Sequence, residues 1–132
     1  MNNLKLIPKE EKKDEFIRIN RTKKKINGFV ECLNYRDKDT RQIIIYLPSF
    51  QLTGYGETKE KAFEMLKFSL DDYFSYLIDL PTKKLEAELV NLGWIHNLNK
   101  NKEYSKVFVD VKGELKNYNA VGDAVEVEIL AV

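Results

Sequence analysis

The stretch from Thr58 to Pro81 limits what this chain can fold into more than any other. Phe63, Leu66, Leu70, Tyr73 and Leu77 recur at intervals of three and four, the spacing of one face of an α-helix. Lys61, Glu64, Lys67, Asp71 and Asp79 fall outside that stripe. Thr58 stands where an N-cap belongs, and Glu60 places negative charge in the first turn, where the helix dipole favours it. Pro81 ends the run. Phe68, Phe74, Tyr76 and Ile78 widen the apolar surface beyond a single face. A helix this aromatic must bury two sides, one on a sheet and another on a second helix or a partner subunit. Together with free strand edges, that leads us to expect a homo-oligomer.

The rest of the chain supplies the sheet. Phe16 to Asn20 reads as a strand. Phe29 to Tyr35 and Arg41 to Leu47 flank the polar run Arg36 to Thr40, the pattern of an antiparallel hairpin. Pro48 cannot donate to a ladder and marks the strand end. Phe50 to Tyr55 reads as a third short strand, weakened by Gly54. After Pro81, Thr82 is expected to cap a second helix with Leu85, Leu89 and Leu92 inside. Gly93 stands where a left-handed residue closes a helix, and Trp94 can fold back onto Leu89. Tyr104 to Val111 and Ala124 to Val132 alternate as two half-buried strands around the turn region with Gly113. Strands, two helices, then strands predict an α+β fold: an antiparallel sheet with two helices on one face, plus a C-terminal β-hairpin.

Composition narrows the function classes. The 132 residues, 43% hydrophobic and 33% charged, suit one soluble domain. Mean hydropathy of −0.45 and the lack of a long apolar run exclude a membrane-spanning helix. One cysteine and one histidine exclude a disulfide framework and paired-histidine metal chemistry, so neither metal nor cofactor is expected. The N-terminus to Glu15 is polar and lacks the apolar core of a secretory signal, which predicts a cytoplasmic location. Residues 1–14 are expected to form a flexible arm, and 15–132 a single domain. Net charge is only +1, but residues 1–25 hold nine Lys or Arg against four Asp or Glu.

From Phe29 to Leu80 the chain resembles the HicB antitoxin family. The pieces that carry the likeness are a strand (Ile43 to Tyr46), Leu47-Pro48, then Gly56-Glu57-Thr58 opening an amphipathic helix with Ala62 in its start. Gly56 permits a bend that a β-carbon would hinder, and Ala62 lets the first turn lie close to the sheet. The resemblance implies a HicB-like core, similar to double-stranded-RNA-binding folds. It also implies a non-catalytic protein that binds and occludes a small basic ribonuclease toxin, and homo-oligomers. The chain differs where family members carry Pro-Gly-Cys; here Ser49 to Gly54 stands. No second basic recognition helix follows Leu85, so operator binding is not expected.

Individual residues leave several readings open. Phe50, Leu52 and Tyr55 pack the core or, where they face solvent, form a docking surface. Glu126 and Glu128 share a strand face, either protecting an edge or attracting a basic partner. Arg21, Lys23, Lys24 and Lys25 are a solvated loop or contact the phosphates of RNA or DNA, which makes a nucleic-acid-binding module the alternative function. An orphan HicB-fold protein of unrelated function is a further alternative. Cys32 is expected as a buried hydrophobe and His96 as a packing or surface residue. Asp71 and Asp72, adjacent on a helix, point about 100° apart and share no site. No nucleophile, base and metal constellation is legible, so no enzyme is expected.

Overall fold

The computed structural model describes residues 4–8, 15–106, 120–121 and 125–132. Ten elements follow in order: β1 (Lys5–Pro8), β2 (Phe16–Asn20), β3 (Lys25–Arg36), β4 (Ile43–Leu47), β5 (Leu52–Gly56), α1 (Lys59–Ile78), α2 (Thr82–Asn91), β6 (Trp94–His96), β7 (Glu103–Lys106) and β8 (Glu126–Ala131). The eight strands form one sheet in which every described pairing is antiparallel. The fold is α+β.

The long strand β3 is the spine. β8 pairs with its Phe29 to Asn34, so β2 at Lys25 to Phe29 and β4 at Leu33 to Arg36 must share the opposite edge, end to end. Main chain at Val30 to Cys32 thus has no strand on that edge. Glu15 and Ser49 close the gap: the Glu15 carboxylate accepts from the Glu31 amide at 3.3 Å and from the Ser49 hydroxyl. Beyond this junction β1 extends the sheet past β8, β7 and β6 extend it past β2, and β5 extends it past β4.

Period-two alternation sends one set of side chains to a single core. Ile17, Ile19, Ile26, Val30, Cys32, Ile45, Leu47 and Leu130 meet Ala62, Leu66, Leu70 and Leu77 of α1 and Leu85 and Leu89 of α2. Both helices therefore cover the same face, as expected. Phe50 inserts between α1 and β6, edge-on to Tyr73 and Phe74 and 5.6 Å from the Trp94 ring. Gly93 has φ +93, the left-handed close expected of it, and Trp94 follows it into the core.

Several expectations change. Among the described residues the expected C-terminal hairpin does not form: β7 pairs with β2 and β6, whereas β8 pairs with β3 and β1. Alternation reports a half-buried strand but carries no information on its neighbour. Of the expected strand to Val111, only the part through Lys106 is described; the remainder and Gly113 lie outside the described residues. Lys5–Pro8, inside the segment expected to be a loose arm, forms β1, because Leu6 stands opposite Leu130 and packs against the core. β6 was not foreseen, being three residues directly after a helix stop.

Candidate functional site

The N-terminal end of α1 is built from the residues of the Gly-Glu-Thr segment. The Thr58 hydroxyl accepts from the Lys61 amide at 3.2 Å. The helix then lies directly on β5. A β-carbon on Gly54 would stand 2.2 Å from the Ala62 carbonyl oxygen, and one on Gly56 would stand 2.7 Å from the Lys61 β-carbon. Neither glycine has positive φ. Their need is space beneath a helix rather than the bend expected at Gly56. Beside this end, the Asn34 amide donates to Glu128 at 2.8 Å and to Glu126 at 3.3 Å, and Lys59 bonds Glu128 at 2.9 Å. That bond to Glu128 raises the pKa of Lys59.

The five residues expected to dock a partner are split by the fold. Phe50 is 2% exposed and belongs to the core. Leu52 pairs with Leu47 and packs against the same core. Both are corrections to a docking role, because the turn after Pro48 carries the chain under α1. Glu126 and Glu128 stand opposite Asn34 and Cys32, on the helix-bearing face. Tyr55 pairs with Ile44, whose neighbour Ile45 enters the core, so Tyr55 lies on the other face, and it is 49% exposed.

That other face holds the candidate site. Ile44 stands opposite Tyr35 on one side and Tyr55 on the other, and Tyr46 follows two residues along β4. Three tyrosines thus surround Ile44 on β3, β4 and β5, with Tyr35, Ile44 and Tyr46 half-buried. Burial, with Asp37 and Tyr46 nearby, pushes the Tyr35 phenol above its usual pKa, so it stays a neutral hydrogen-bonding group. Flat rings with a polar tip suit docking, burying area at little entropic cost. The signal in the sequence was there: Ile43 to Leu47 is apolar on both faces, which a strand covered on one side alone does not need.

The basic segment forms the turn between β2 and β3. Arg21 donates to the Thr82 hydroxyl at 3.0 Å and to the carbonyls of Ile78 and Leu80. It thereby ties down the end of α1, where carbonyls lack helical partners. Thr82 is the first residue of α2, and its hydroxyl serves Arg21 rather than capping its own helix. Lys24 approaches Asp79 at 3.7 Å. Lys23, Lys24 and Lys25 form one wall of a groove of about 650 Å³, with Asp71, Ser75 and Asp79 opposite. The carboxylates make this a mixed-charge surface rather than a phosphate-selective one.

The remaining singled-out residues take structural places. Cys32 is fully buried, and burial, with Glu128 next, pushes its thiol to about 12. His96 Nε2 lies 2.9 Å from the Asn101 carbonyl, and its ring stacks on Tyr104. Asp71 is half-buried and Asp72 exposed. Among the described residues, no cluster of three or more potential ligands could hold a metal ion. No described helix is long and apolar enough to cross a membrane. Comparison of the chain with protein-family models, with curated proteins and with solved structures finds no match.

Proposed function

We propose that this chain is a non-catalytic, cytoplasmic interaction protein that acts by covering a partner, which docks on the sheet face formed by Tyr35, Ile44, Tyr46 and Tyr55. The observation that carries this reading is the gathering of three tyrosines around one isoleucine on the face opposite the helices. Rings of this type concentrate at the energetic centres of interfaces. The finer reading is a HicB-like antitoxin occluding a small basic ribonuclease. It is supported by the way Gly56, Thr58 and Ala62 work together in placing α1 on β5. It is also supported by the acidic balance of the chain after residue 25, thirteen Lys or Arg against seventeen Asp or Glu, which favours a basic partner.

The test is affinity capture of the tagged protein from its native cells at low and high salt, alongside a Tyr55→Lys variant. A small basic protein retained in stoichiometric amount by the wild type, and lost by the variant, is the expected result. Equal retention by both moves the interface elsewhere. Nucleic acid eluting alone at low salt, and released by salt, transfers the reading to Lys23, Lys24 and Lys25. Nothing retained in any condition ends the antitoxin reading.

A further inference from the structure

The solvent side of α1 carries a second surface, independent of the tyrosine face. Lys61, Met65, Phe68, Asp72, Ser75 and Asp79 follow one another at intervals of four, three, four, three and four, and all six are exposed. Phe68 is 80% exposed and Met65 37%. This is the spacing of a helix–helix seam, and it runs opposite the buried stripe of Ala62, Leu66, Leu70 and Leu77. Phe68 and Met65 thus leave two adjoining apolar side chains in solvent at mid-helix.

We propose that a second copy of this chain covers the seam, with the two α1 helices antiparallel about a two-fold axis between Met65 and Phe68. Charge selects this occupant and this direction. Along the seam Lys61 lies before the apolar pair and Asp72 after it. The antiparallel register sets Phe68 against Met65 of the second copy, and Lys61 against its Asp72, each contact made twice by symmetry. Sulfur against an aromatic ring is a favoured contact. A parallel register would instead stack Lys61 on Lys61 and Asp72 on Asp72, and like charges at such positions repel. Antiparallel pairing also opposes the two helix dipoles favourably. The four central positions, Lys61, Met65, Phe68 and Asp72, are self-complementary, as an isologous interface requires.

Sedimentation of the full chain from about 10 to about 500 µM, the span in which weak interfaces populate, tests the proposal. The wild type should move from monomer to dimer across that range. Phe68→Lys should remain monomeric at the top of it, with an unchanged circular dichroism spectrum. Met65→Lys, read the same way, covers the case in which Phe68→Lys fails to fold. Lys61→Glu and Asp72→Lys should each weaken dimerisation about tenfold, and the double exchange should restore it, because it rebuilds the pair in reverse. A wild type that stays monomeric throughout overturns the proposal, as does a dimer untouched by Phe68→Lys and Met65→Lys. Single charge reversals that weaken dimerisation without rescue in the double exchange overturn the antiparallel register.

Discussion

The two ends of α1 are held in different ways. At its start, Thr58 caps from the adjoining residue, and Gly54 and Gly56 remove the atoms that would keep the helix off β5. At its finish, Arg21 reaches from a hairpin 57 to 61 residues earlier in the chain to bond the last carbonyls and Thr82. The first end is local chemistry plus one close contact. The second exists only once β2, β3 and the helix have met. The contrast shows that a helix terminus can be specified nearby or at a distance, and that sequence patterns expose only the former.

The comparison is easiest to break at the start of the helix. Gly54→Val places side-chain atoms inside the Ala62 backbone, and a backbone obstacle cannot rotate away. We expect a loss of about 3 kcal/mol or more, or no folded protein, by urea unfolding. A loss under about 1 kcal/mol would mean that the helix does not sit where the register puts it. At the finish, Arg21→Ala removes charge-assisted bonds to three acceptors and should cost about 1.5–3 kcal/mol. Arg21→Lys should recover only part, since an ammonium cannot fork between Thr82 and the carbonyls. Full recovery would reduce the Arg21 contact to simple charge.

Thr58→Ala sharpens the same contrast with a smaller effect, about 1 kcal/mol, because one cap bond is lost and water can replace it. Lys24→Ala should fall within about 0.5 kcal/mol, the worth of an exposed pair such as that with Asp79. A larger value would give the mixed-charge groove a structural role beyond Arg21.

The smallest expected effect concerns the β2–β4 junction. Burial raises the Glu15 pKa above its ordinary 4.5, outweighing the bonds from Ser49 and Glu31 that lower it. The folded state therefore holds that proton more tightly than the unfolded chain. Glu15 then contributes stability that is fully present below about pH 4.5 and lost as pH rises through the folded pKa. Glu15→Gln should flatten that part of the stability–pH curve, and an unchanged slope would show that another group sets it. A separate check of burial is thiol labelling. With its thiol pushed to about 12, native Cys32 should react far more slowly at pH 8 than the unfolded chain.

Much of the fold was legible because it is written in short-range pattern. Of the expected α1 stripe, Leu66, Leu70 and Leu77 are buried and Phe63 and Tyr73 half-buried, and Thr58 and Gly93 are placed as their chemistry asks. The strand from Phe16 to Asn20 was read to its limits. The site was legible only in part. Of the expected docking residues, only Tyr55 joins the tyrosine face, because Phe50 was drawn under α1 by the turn after Pro48. Tyr35 and Tyr46 were missed, since which strands become neighbours decides which rings meet.

By itself, then, the sequence determined what depends on neighbours along the chain: periodicity, caps, helix stops and the α+β class. Only the tertiary structure decided that β7 and β8 are separated by β3 and β2, and that Glu15 and Ser49 close the gap in the spine. It alone decided that the basic turn closes a helix instead of standing free. The physical reason is that alternation or a charge run fixes which way a side chain points relative to its own backbone. What that side chain meets is settled by non-local pairing, through the burial it permits and the polar groups it must satisfy.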